Sequence, residues 1–169
     1  KGALPLLSNS EFDRIFESLI RDKKINTVLI SAYWSRELKN YASDKWKQEL
    51  TETISTLTNA EKHVSQNDEV PAFSFKSYRC KYADRLGLEN KCLGPNPRAN
   101  AEYLPVFEDI ASEIGHDQVQ VIRTYDLFCR EESCSMARDG TLYYRDETHV
   151  NIDGSSKLAI AIAEKMRIE

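Results

Sequence analysis

Apolar positions along this chain alternate between two rhythms, one with the period of a helix and one of short continuous runs. Phe12, Ile15, Phe16, Leu19 and Ile20 recur at i, i+3, i+4, i+7 and i+8, which predicts a helix over 8–23 with one buried stripe. Ser8 and Glu11 have capping-box spacing, Leu7 and Phe12 stand at the staple positions, and Lys23 and Lys24 suit the negative helix end. The run from Ile25 to Trp34 is β-branched and almost wholly apolar, the pattern of a strand buried on both faces of a parallel sheet. Helical rhythm returns from Ser43 to about residue 59, with Trp46, Leu50, Ile54 and Leu57 on its buried stripe. Lys62 to Gln66 reads as a second strand, more for its place after a helix than for its composition.

Residues 67–97 break the rhythm with Pro71, Gly87, Gly94, Pro95 and Pro97, and a loop of that length inside a domain is often functional. A third helix is expected over 98–114, with Tyr103, Phe107, Ile110 and Ile114 inward and Gly115 ending it. Pro105 either kinks that helix or marks a restart at a first-turn position. Val119 to Ile122 is a third strand, 125–140 a second looped region, and Thr141 to Tyr144 a brief extended piece. The last helix starts near Asn151 or Asp153, both good N-caps, with Leu158, Ala159, Ile162, Ala163 and Met166 inward. Helix and strand in alternation predict an α/β three-layer sandwich with a mostly parallel central sheet, its helices placed on both faces by right-handed crossovers.

Composition changes this picture only a little. At 169 residues the chain has the length of one domain. With 30% charged and 41% apolar residues it reads as an ordinary globular protein, and a net charge of −4 gives no footprint for nucleic acid. No apolar run approaches the roughly 18 residues of a membrane span. No secretory signal pattern is visible, and a first residue Lys1 suggests a processed or trimmed piece of something longer. Cys80, Cys92, Cys129 and Cys134 allow three pairings. Close spacing favours Cys80–Cys92 and Cys129–Cys134, hence an oxidising compartment. Zinc is the rival, although neither pair has C-x₂-C spacing and no His lies close by.

The chemistry concentrates in Tyr143-Tyr144-Arg145-Asp146-Glu147-Thr148-His149-Val150-Asn151-Ile152-Asp153-Gly154. An Asp three residues before a His can meet it on one tight turn. Such a carboxylate orients an imidazole that takes a proton from a serine hydroxyl. The same spacing also arises by chance, and an Asp before a helix is often only a cap. In open parallel sheets, sites gather outside the carboxyl ends of the strands, which a loop entering the last helix can reach.

That stretch, from Leu142, resembles the last motif block of the SGNH hydrolases, and most of all the SGNH domains fused to membrane acyltransferase family 3 proteins. Thr27 to Trp34 resembles that family's strand ending in Trp. Val70-Pro71-Ala72-Phe73-Ser74-Phe75 with Cys80 and Cys92 resembles its Pro- and Cys-containing loop, and Leu127-Phe128-Cys129 with Cys134 its second cysteine pair. The resemblance implies an SGNH/flavodoxin-like sheet, with Asp146 orienting His149 and His149 as general base, and it calls for no cofactor and no metal. Asn151 stands where the family often has Ser, and Val150 where it has Leu. The family's nucleophile lies in an N-terminal Gly-Asp-Ser block, and this sequence contains none. Ser8 and Ser10 fit helix capping better. The expectation is therefore one SGNH-like domain over 1–169 without its nucleophile block or N-terminal strands, with a sheet edge open to pairing with that missing segment.

The resemblance implies the periplasmic part of a larger inner-membrane protein that O-acylates a surface polysaccharide such as an O-antigen. Its partners would be a carbohydrate acceptor and an acyl donor passed from the membrane acyltransferase domain. A carbohydrate O-acetylesterase, and a non-catalytic carbohydrate-binding module, are the alternatives. Trp34 and Tyr33, at a strand end, could stack on a ligand or simply pack. Arg145, Arg98 and Arg79 could steer an anionic substrate or be solvated. His63 and His116 read as strand-end or surface histidines.

Overall fold

Helix α1 (Asn9–Arg21) leads into strand β1 (Thr27–Ile30), then α2 (Trp34–Asn40), α3 (Ser43–Asn59) and β2 (His63–Asn67). A long loop with a 3-10 turn at Ser77–Cys80 carries β3 (Leu93–Pro95). Then come α4 (Tyr103–Ile114), β4 (Val119–Ile122) and a second 3-10 turn at Tyr125–Leu127. Four short strands follow, β5 (Cys129–Arg130), β6 (Ser133–Ser135), β7 (Ala137–Arg138) and β8 (Thr141–Leu142), before α5 (Ile152–Met166). The computed structural model describes residues 9–40, 43–83, 86–88, 92–96 and 101–166, so the Leu7 staple, Ser8 and Arg98 lie outside the described residues.

The expected mixed α/β fold is present, with a parallel three-stranded sheet in the order β1-β2-β4. Thr27 to Ile30 run beside His63 to Gln66 in parallel register. The Val64 amide donates to the Gln118 carbonyl at 2.8 Å and the Asp68 amide to the Ile122 carbonyl at 3.0 Å, so β2 and β4 also advance together. Two compact units are distinguished, Lys1–Asn67 with Glu102–Val121, and Asp68–Ala101 with Ile122–Glu169.

The first unit is built by apolar burial. Trp46, Leu50, Ile54 and Leu57 are all buried, as the stripe on α3 requires. Tyr103, Phe107 and Ile110 of α4 are fully covered, and Trp34 packs edge-on to Phe107 at 4.9 Å and to Trp46 at 6.0 Å. Pro105 is the third residue of α4, in the first turn, where its missing N–H removes no helical bond. Three expectations fail here. The Ile25 to Trp34 strand stops at Ile30, and Trp34 begins a helix that the apolar run conceals. β1 is not buried on both faces, because Leu29 is 38% exposed. The α1 stripe is only partly covered, with Phe12 and Phe16 stacked at 5.7 Å and Ile15 half exposed.

The second unit is built from turns and crosslinks. Its long loops are not structureless, since β3, β6 and β5 form one antiparallel sheet and β7 and β8 a hairpin. Cys80–Cys92 and Cys129–Cys134 are disulfides, so no cysteine remains for the zinc alternative. Phe73, Tyr125, Phe128, Met136 and Tyr144 form its apolar centre. Residues of the expected inner face of α5 are half-buried at best, and Ala159 is exposed.

Candidate functional site

The turn between β8 and α5 is fastened at both ends before it presents any chemistry. Tyr144 and Val150 form an antiparallel bridge, and the Arg145 amide donates to the His149 carbonyl at 2.8 Å. Tyr144 anchors the turn, fully buried with its ring 5.0 Å from Phe73 and 5.4 Å from Phe128. Burial pushes its hydroxyl far above the usual tyrosine range, so it is no acid at neutral pH. The preceding long loop holds the turn from outside. The Phe73 amide donates to the Glu147 carbonyl at 2.8 Å, Ser77 Oγ donates to the Arg145 carbonyl at 2.6 Å, and Lys76 pairs with Glu147 at 2.5 Å.

Asn151 closes the other end. Its Oδ1 accepts the Gly154 amide at 3.0 Å, the N-cap of α5, while its Nδ2 donates to the Leu142 carbonyl at 2.6 Å. Gly154 is needed for closeness rather than for conformation. A Cβ there would overlap the Tyr143 carbonyl oxygen and sit 2.8 Å from Val150 Cβ.

Within this frame Asp146 and His149 meet. The carboxylate lies 2.9 Å from His149 Nδ1 through either oxygen. The same carboxylate accepts the Thr148 amide at 2.9 Å and the His149 amide at 2.8 Å. Those bonds, with the Thr148 amide contributing most, hold the Asp146 carboxyl well below the usual carboxylate range. Asp146 is thus an obligate acceptor, and in the neutral imidazole that partner calls for the proton on Nδ1 and the lone pair on Nε2. Nε2 has no hydrogen-bond partner among the described residues, and the His149 side chain is 64% exposed. Arg145 Nε lies 3.6 Å from Asp146 Oδ2 on a side chain that is 70% exposed. An imidazole oriented in this way on a fixed turn has the geometry that a general base requires.

Other residues singled out from the sequence fall elsewhere. Trp34 is fully buried and donates from Nε1 to the Asn67 carbonyl at 2.7 Å, a placement that supports packing over stacking on a ligand. Tyr33 is 43% exposed, with the Arg36 guanidinium 5.8 Å from its ring centre. His63 Nδ1 lies 3.2 Å from the Asp117 carbonyl, and His116 is exposed. Ser10 is the second residue of α1 and exposed. Among the described residues no group of His, Cys, Asp and Glu is arranged to hold a metal, and no helix is long and apolar enough to cross a membrane.

One buried acid escaped the sequence reading. Asp68 is fully buried at the end of β2, where its carboxylate accepts the Thr124 amide and, at 2.5 Å, the Thr124 hydroxyl. Burial outweighs these bonds and pushes its carboxyl up to about 6. Only its position directly after a weak strand could have drawn notice.

A family model described as the SGNH domain (fused to AT3 domains) matches residues 6–164, which takes in most of both units. None of the curated proteins compared with the chain matches it.

Proposed function

We propose a function from one premise: the chain belongs to the family of SGNH domains fused to AT3 domains. Membership gives it a hydrolase- or acyltransferase-associated role. On our reading it is the periplasmic part of a bacterial acyltransferase that O-acylates a surface polysaccharide. The Asp146–His149 pair, with Nε2 left open, is the observation that carries this reading. The two disulfides support an oxidising compartment outside the cytoplasm.

The nucleophile would be a serine outside these 169 residues. β1 supports this, since among the described residues it pairs only with β2, leaving an edge on which a further strand can add. His149 Nε2 would take the serine proton as the hydroxyl attacks the acyl carbonyl, and then return it to the departing donor group. A sugar hydroxyl would next give its proton to Nε2 and attack the acyl-serine, and the released serine oxygen would recover a proton from the imidazolium. Asp146 stabilises that imidazolium without being protonated itself.

The test is made in the natural full-length protein, by NMR of O-acyl groups on the surface polysaccharide. His149→Ala is expected to abolish acylation, and Asp146→Asn to lower its rate by about 10⁴-fold, as an imidazole held in the wrong tautomer does. Undiminished acylation in the well-expressed His149→Ala protein overturns the proposal.

A further inference from the structure

The short strands of the second unit leave a groove whose charge the dyad does not use. A cavity of about 420 Å³ is lined by Arg130 of β5, Ser133 and Ser135 of β6, and Arg138 of β7, with Leu93 and Gly140 also in its wall. That volume lies in the range of small-molecule sites. Arg130 stands opposite Ser133, and the next cross-strand pair is the Cys129–Cys134 disulfide itself. Arg138 stands opposite Thr141 across a two-residue turn, Asp139-Gly140, whose φ values of 53° and 77° suit the tight hairpin turn that follows strand twist. Both guanidiniums are therefore carried on hairpins with fixed register, not on a free loop.

Neither Arg130 nor Arg138 has an ion-pair or hydrogen-bond partner among the described residues. Among the described residues of the lining, Asp139 is the one carboxylate against two guanidiniums, an excess of positive charge. Two cations on one hollow are an electrostatic cost that a bound anion removes. The Ser135 hydroxyl donates to the Ala137 carbonyl and is spent on the bend between β6 and β7. The Ser133 hydroxyl has no such partner among the described residues. Among the described residues no aromatic ring lines the groove, which favours selection by charge over stacking on a sugar face.

We propose that this groove binds an oxyanion, carboxylate or phosphate, carried on a saccharide, with Arg130 and Arg138 gripping the anion and Ser133 adding a hydrogen bond. Guanidinium is suited to this because its planar fork matches an oxyanion through two parallel bonds. The saccharide part rests on the glycan-acceptor reading above, and it specifies that the glycan carries acid groups.

The test is an amide NMR titration of the protein with trigalacturonate against neutral maltotriose. A second arm compares glucose 6-phosphate with glucose and with inorganic phosphate. The expected result is shifts centred on residues 130–140 with an acidic sugar and none with its neutral counterpart, the stronger arm telling carboxylate from phosphate. Arg130→Gln and Arg138→Gln should each weaken binding about tenfold, the loss typical of one charge-assisted bond, with amide dispersion confirming the fold. His149→Ala should bind as before. Equal binding of acidic and neutral sugars, no binding at millimolar concentration, or shifts centred elsewhere overturns the proposal. Inorganic phosphate binding as tightly as glucose 6-phosphate overturns its saccharide part. Any of these failures leaves acyl transfer standing, because that is read from acylation in the full-length protein. Loss of the acylation reading, in turn, leaves anion binding measurable.

Discussion

The two units reach order by different physics. In the first, wide apolar side chains on α3 and α4 cover one another and Trp34, with Ile54, Phe107 and Ile110 fully buried. In the second, strands of two or three residues surround a smaller apolar centre at Phe73, Phe128, Met136 and Tyr144, and disulfides, carbonyl contacts and caps add to it. The dyad and the arginine groove both belong to the second kind. A site needs polar groups held at set distances, and the dyad turn is held by local caps, by bonds from the Phe73–Ser77 loop and by the buried ring of Tyr144.

The contrast can be broken most sharply in the first unit. Phe107→Ala is expected to cost about 3–5 kcal/mol in chemical denaturation, because a fully covered ring leaves a cavity among Trp34, Trp46 and Tyr103. A cost below about 1 kcal/mol would mean that this unit does not depend on its core. Removing the Cys80–Cys92 bridge by a paired Cys→Ala change should cost about 3 kcal/mol, as its sequence separation of 12 implies. Hydrogen exchange should then show protection lost around Phe73 and Ser77 and retained in α3. Uniform loss over both units would contradict the division drawn above.

The smallest effect compares two aspartates of the second unit. Asp68 has a folded pKa raised from 3.8 to about 6, so its contribution to stability is full below pH 3.8 and is lost as pH rises through about 6. A two-unit shift is worth on the order of 2–3 kcal/mol, and Asp68→Asn should flatten that slope in melting temperature against pH. Asp146 has the opposite sign. Its depressed carboxyl contributes above the usual carboxylate range, and that contribution is lost as pH falls below it. An unchanged slope between pH 4 and 6 in Asp68→Asn would remove burial as the cause of its shift.

Much of the fold could be read in advance wherever one periodic stripe decided an element. The α3 stripe of Trp46, Leu50, Ile54 and Leu57 is buried as its spacing demands, and Gly115 ends α4 with a φ of 125° that suits glycine. Legibility failed where an element's fate depended on what covers it. Phe12 to Ile20 have the rhythm of a buried stripe, yet Ile15 is 49% exposed, because periodicity states which residues share a face and not what lies against it. Trp34 looked like a strand end because an apolar run does not mark where a helix begins.

By itself the sequence determined that Asp146 and His149 share one turn, because three residues lie within its reach, and Asn151 as a cap, because capping is a local bond. Tertiary structure alone decided the rest. The depth of Asp68, the convergence of Arg130 and Arg138, and the fit of Gly154 against Tyr143 and Val150 depend on atoms brought together by packing. Spacing along the chain encodes only neighbours within a turn or a strand, and burial and convergence are properties of the folded whole.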